Sequence, residues 1–73
     1  MAIHQLTAIV TGTVWKIELQ QGERVLAGGT VMILESMKME IPLEAKSAGK
    51  VKELLVAEGD SVTEGQLVAV LEF

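Results

Sequence analysis

The sequence has no cysteine and no tyrosine, and its 73 residues include only one histidine, one tryptophan, one phenylalanine and one proline. The missing cysteine excludes disulfides, thiolate nucleophiles and thiolate metal ligands, and it fits any compartment. His4 and Asp60 are the single members of their kinds. A Ser-His-Asp arrangement would therefore have to draw on the first residues of the chain and on a polar turn, so catalysis by the chain itself is not expected. A metal site would be left with carboxylates scattered over turns and strand faces, and none is expected. The glycines recur at turns between strands and not in a loop that opens a helix, which indicates no phosphate cradle. Hydrophobic residues make up 49% of the chain, yet uninterrupted apolar runs are only a few residues long, so no segment reads as a bilayer span. The N-terminus lacks the basic and long apolar regions of a secretion signal, and the chain is expected to be cytoplasmic. A net charge of -4, spread evenly, argues against a nucleic-acid surface.

What the sequence does contain is one pattern written twice. A single ungapped offset carries Ala8 onto Ala45, Gly12 onto Gly49, Val14 onto Val51, Gly22 onto Gly59 and Val25 onto Val62. It also carries Gly28 onto Gly65, Val31 onto Val68, Leu34 onto Leu71 and Glu35 onto Glu72. Apolar pairs such as Ile17 with Leu54, Leu19 with Val56 and Ile33 with Val70 fill the gaps. The chain reads as one domain over 1–73, with half-repeats at about 8–35 and 45–72 joined by a hairpin at 36–40. A chain this short buries only about 60% of its unfolded surface, so little loop is expected.

Alternation and β-branched residues recur in short runs bounded by glycine or small polar residues, which predicts an almost wholly β protein. Strands are expected near Gln5–Val10, Thr13–Leu19, Arg24–Leu26, Val31–Glu35 and Met39–Glu44, then again in the second half. Gly12, Gly22, Gly28, Gly49, Gly59 and Gly65 are expected to be structural turn glycines. Pro42 suggests an edge or bulge position. Two four-stranded antiparallel sheets packed face to face, or equally a flattened barrel, with an internal pseudo-twofold axis, follow from the repeat. The expected core is Ile9, Val14, Ile17, Val25, Val31, Ile33, Val51, Leu54, Val62, Val68 and Val70. Trp15 reads as a half-buried sheet aromatic in preference to a ligand platform, since no other aromatic is near it in sequence.

Lys38 stands apart from the other lysines. Lys16, Lys46, Lys50 and Lys52 sit among polar neighbours or alternate along strands, as a solvated face does, whereas Lys38 lies between Met37 and Met39. In a tight turn this trio either presents flexible apolar side chains around an ammonium group, as a recognition surface would, or folds both methionines back over the end of the core. Its counterpart one repeat later would fall beyond Phe73, so the lysine segment has no partner in the other half.

Met37-Lys38-Met39 following Glu35 resembles the attachment motif of biotinyl domains, and the chain resembles the biotinyl/lipoyl superfamily over essentially its full length. The shared features are Gly12 and Gly49 ahead of a strand, the Gly-x-x-Val units Gly22 to Val25 and Gly59 to Val62, and Gly28 and Gly65 before the last strand of each half. The resemblance implies a flattened barrel with Lys38 at an exposed hairpin tip. It also implies covalent biotin on Lys38, joined by biotin protein ligase from biotinyl-adenylate, with Glu35, Ser36, Met37, Met39 and Glu40 recognised by the ligase. The carrier would shuttle a carboxyl group between a biotin carboxylase and a carboxyltransferase. Ser36 stands where biotinyl domains usually have alanine, and serine there is familiar from lipoyl domains, whose motif centres on Asp-Lys-Ala. Lipoate in place of biotin, or either group, is therefore a second reading, and an unmodified binding module of the same fold a third. Thr11 and Ala48 replace the prolines that often precede the repeat glycines, and no thumb insertion lies between Val14 and Val25. The domain is expected to stand alone, without the long linker that usually tethers such carriers, and in this it resembles the small stand-alone carriers of the superfamily.

Overall fold

The computed structural model describes residues 2–73, and every regular element among them is a strand. In chain order these are β1 (Ile3–Thr7), β2 (Gly12–Ile17), β3 (Arg24–Val25), β4 (Thr30–Ser36), β5 (Met39–Glu44), β6 (Gly49–Leu54), β7 (Ser61–Val62) and β8 (Leu67–Glu72). They form two four-stranded antiparallel sheets, ordered β1-β8-β6-β3 and β5-β4-β2-β7, in a body of 36 × 17 × 17 Å. This is the all-β flattened barrel expected from the repeat. The offset that relates the two halves maps β2 onto β6, β3 onto β7 and β4 onto β8, and it exchanges the two sheets. Each sheet takes its short edge strand from the other half, β3 beside β6 and β7 beside β2. Pro42 lies on β5, an edge strand, where a missing N–H leaves no ladder bond unmade.

Strict alternation accounts for only part of the core, because each half carries two bulges. Between β2 and β4 the register runs from Val14 opposite Leu34 to Lys16 opposite Ile33, which leaves Trp15 as the extra residue. Between β4 and β5 it runs from Thr30 opposite Glu44 to Met32 opposite Leu43, which leaves Val31 extra. The second half repeats both bulges at the equivalent residues, Lys52 and Val68. Bulged Val31 and its neighbour Met32 both turn inward against Leu43, and all three are buried. Val68, Ala69 and Leu6 do the same in the other sheet.

The bulges correct the expected core. Val14, Val25, Val31, Val51, Val62 and Val68 are buried, and Ile17 and Leu54 pack partly buried against them. Ile33 and Val70 are instead half-buried on the outer faces, opposite Lys16 and Glu53, because the preceding bulge resets the alternation. Met32, Leu34, Ala69 and Leu71 take the interior positions together with Leu6, Ala8, Leu43 and Ala45. Ile9 is 56% exposed. The strand expected over Gln5–Val10 lies at Ile3–Thr7. Ala8 leaves the ladder because its N–H donates to the Gln66 carbonyl at 2.9 Å and its carbonyl accepts from Gly65 at 2.8 Å, which bends the chain before Ile9.

Two of the six glycines expected in turns play another part. Gly22, Gly28, Gly59 and Gly65 sit in turns with φ of 94, 83, 93 and 88°, the left-handed region that glycine enters freely. Gly12 and Gly49 open β2 and β6 instead. A Cβ on Gly12 would collide with the Glu35 carbonyl oxygen, and one on Gly49 would meet the Glu72 carbonyl oxygen and the Phe73 ring at 2.5 Å. Glycine is needed there for close backbone approach.

Val31 and Val68 are fully buried at equivalent bulges in opposite sheets, so Val31→Ala and Val68→Ala should each lower stability by about 1–3 kcal/mol in urea melts. Two neutral substitutions would contradict a core shared between the sheets.

Candidate functional site

Strands β4 and β5 stay paired to their last residues, Ser36 opposite Met39, so Met37 and Lys38 alone form the connecting loop. Their φ values are 51 and 66°. Positive φ at both central residues is the signature of a type I′ turn, whose twist matches that of the paired strands. The chemistry of such a turn favours Asn-Gly, and a non-glycine residue in the left-handed region costs on the order of 1–3 kcal/mol. Met37 and Lys38 are the two non-glycine residues with positive φ among the described residues. The flanking ladder holds them in a conformation that the pair would not choose.

The methionines do not fold over the core. Met37 is 92% exposed and Met39 64% exposed, so the reading of both as core end-caps is excluded. Lys38 is exposed between them. Among the described residues the one ion pair is Lys16 with Glu18, at 3.4 Å, and no carboxylate holds the Lys38 amine. An unencumbered primary amine on an exposed two-residue turn suits covalent attachment of an acyl group, because the amine can enter a second protein's active site without local unfolding.

The base of the hairpin is tied to its surroundings. The Ser36 hydroxyl donates to the Thr11 carbonyl at 3.0 Å, and the Thr11 hydroxyl accepts from the Glu64 backbone N–H at 3.0 Å. Gly12 lies under the same strand, its backbone against Glu35 and Ser36. Thr11 was not among the expected site residues, and the signal for it lay in its repeat partner, Ala48, which has no hydroxyl. Glu35 and Glu40 are directly opposite each other and exposed, one row below the turn.

The other titratable candidates have structural places. The His4 ring lies 6.0 Å from the Phe73 ring, where Ala2 and Phe73 pair through their backbones. Asp60 accepts from the Ala57 N–H at 2.9 Å, as Glu23 accepts from the Gln20 N–H at 2.7 Å at the equivalent turn of the first half. No group of three or more histidine, cysteine or carboxylate residues that could hold a metal occurs among the described residues.

Against this geometry, the sequence model of the family described as "Biotin-requiring enzyme" matches residues 4–71. The chain is 45% identical over 62 residues to the biotin/lipoyl attachment protein of Bacillus subtilis (strain 168), covering 85% of each chain. It is 38% identical over 64 residues to the biotinylated protein TB7.3 homolog of Mycobacterium leprae (strain TN), covering 88% of this chain and 90% of the relative. Among solved structures, the Kluyveromyces lactis urea carboxylase superposes with a TM-score of 0.92 at 39% identity, over 99% of this chain and 6% of that one.

The strain in the turn is measurable without any ligand. Replacing Met37 with Asn and Lys38 with Gly should raise the thermal midpoint by about 4–8 degrees, the scale of about 1 kcal/mol in a domain this small. A lowered midpoint would mean that the left-handed pair is not strained.

Proposed function

Because the chain belongs to the biotin/lipoyl attachment family, we propose that it is a non-catalytic carrier whose Lys38 receives biotin and serves a biotin-dependent carboxylase. The observation that carries this reading is Lys38 itself, an exposed amine at a two-residue turn between methionines that are 92% and 64% exposed. The Met flanks favour biotin over lipoate, whose attachment motif has Asp and Ala at these places.

Biotin protein ligase would supply biotinyl-adenylate. The Lys38 Nζ attacks its carbonyl carbon, an amide C–N bond forms, the bond to the phosphate oxygen breaks, and AMP and a proton leave. An alkylamine is mostly protonated in water at neutral pH, so the neutral nucleophile must be generated at the ligase. The carrier contributes a positioned amine on a rigid hairpin. Met37 and Met39 present polarizable, adaptable surface to the ligase, Glu35 and Glu40 present charge, and Ser36 fixes the hairpin through its bond to Thr11. Attached biotin supplies a carrier for a carboxyl group, taken up at a biotin carboxylase and released at a carboxyltransferase. That assignment is supported by the carboxylases among the relatives, which include a biotin-dependent acyl-coenzyme A carboxylase subunit from M. leprae.

Lipoate is the second reading, favoured by Ser36. The Ser36 hydroxyl already has a structural bond, however, and the serine needs no lipoyl function to explain it.

Lys38→Arg should abolish ligase-dependent incorporation with a nearly unchanged melt, because arginine keeps the charge but is not an acyl acceptor. Continued biotinylation of this variant would refute the assignment of Lys38. Combining Met37→Asp with Met39→Ala should lower biotin transfer sharply and raise lipoyl transfer. Both side chains are exposed, so the midpoint should move by no more than about 4–8 degrees. Unaltered ligase preference would sink the role given to the methionines.

A further inference from the structure

The internal repeat supplies a control for surface residues. Where the scaffold alone sets a position, the two halves should agree. Outward positions that differ mark something acting on one half only.

On the sheet that carries Lys38, the outward row runs Lys16, Ile33, Pro42, with bulged Trp15 beside Lys16. Trp15 is 48% exposed and Pro42 is exposed. The equivalent row of the other sheet is Glu53, Val70, Gln5, with Lys52 at the bulge. One row nearer the lysine turn, Thr13, Glu35 and Glu40 lie side by side. Their equivalents are Lys50, Glu72 and Ile3. Glu72 thus has a lysine directly opposite, whereas Glu35 has another glutamate, an arrangement that is destabilising on a sheet face. On the same backbone, one outer face balances its charges and is polar at the bulge and at the edge, where Lys52 and Gln5 stand, with half-buried Val70 and exposed Ile3 as its apolar members. The other is apolar at those two places, Trp15 and Pro42, and has an uncompensated pair of carboxylates between this row and Lys38.

We propose that the Trp15–Ile33–Pro42 face is the docking surface for the enzyme that acylates Lys38, and that this enzyme sets an apolar shelf and lysine or arginine side chains beside its active-site mouth. The inference rests on the acylation of Lys38 argued above. The apolar row meets the shelf and the Glu35–Glu40 pair meets the cations, which offset the like-charge repulsion that the free carrier carries. Two considerations select the acylating enzyme over partners met later. The bond it makes is at Nζ itself, so its active site must close around the turn and bring its surface against the sides of the hairpin, whereas a partner that meets a group at the end of the lysine arm can stand off. A specific interface also covers about 800 Å² per partner, against a total surface of 4460 Å². Three side chains at the tip cannot supply that area. Outward rows are spaced about 7 Å apart, so the apolar row falls roughly 15 Å behind Lys38, within a single patch of this size.

The test writes the other sheet's residues onto this one. Trp15→Lys, Ile33→Val and Pro42→Gln together should lower kcat/KM for acylation of Lys38 at least tenfold, chiefly through KM, with the melt unchanged within a few degrees. Lys52→Ala with Gln5→Ala, on the opposite face, should leave kcat/KM as it is. A Lys38→Arg chain with the native face should inhibit acylation of the wild type by competition, and the same chain carrying the triple change should not. Wild-type kcat/KM should also fall as salt rises toward about 1 M, where charges are screened within about 3 Å. If the triple variant does not fold, Trp15→Lys alone decides, at a bulge where the other half already holds lysine. Equal rates for that variant or for the triple would overturn the docking face while leaving Lys38 as acceptor. A wild-type chain that accepts neither biotin nor lipoate from the respective ligases would overturn the proposed function and this face with it.

Discussion

Neither half of the chain can close its own core, because each sheet borrows its short edge strand from the other half: β3 pairs with β6 and β7 with β2. The inward side chains of one half are therefore covered only when the other half is in place. A disulfide-free chain of 73 residues has little other means of burying a core. The exchange also makes the site possible. With the two halves locked, the β4–β5 hairpin is anchored through Ser36 and Thr11 to a loop and a turn distant in sequence. Its two tip residues are then free to be chosen for something other than stability.

That choice is visible in the turn. Positive φ at Met37 and Lys38 departs from the turn residues that the geometry favours, and such departures concentrate where function sets the residue. The exposed methionines follow the same logic, since nothing in the packing of the domain uses them.

The fold was largely legible in the sequence, because a repeat with glycine landmarks fixes strand order and the place of the unpaired lysine segment. What alternation could not show was the bulges. Val31 and Met32 point the same way, as do Val68 and Ala69, so counting by twos sends Ile33 and Val70 inward when they lie on the outer faces. Ile9 was misplaced for a different reason. Ala8 satisfies its backbone with Gln66 and Gly65, in the turn that leads into the neighbouring strand β8, a long-range bond with no local signature. The glycines at 12 and 49 were visible as landmarks but not as contacts, since close approach to Glu35 and Glu72 exists only once the sheets are assembled. Lys38 was legible from its neighbours, yet whether those neighbours faced out or in was decided by backbone geometry.

The proposed carrier function requires biotin on Lys38. Peptide mapping by mass spectrometry, on protein purified from cells that hold both a biotin and a lipoyl ligase, tests it most directly. A biotin carrier should show a single biotinyl adduct on the peptide containing Lys38. A lipoyl adduct alone, an adduct on another lysine, or an unmodified chain would contradict it.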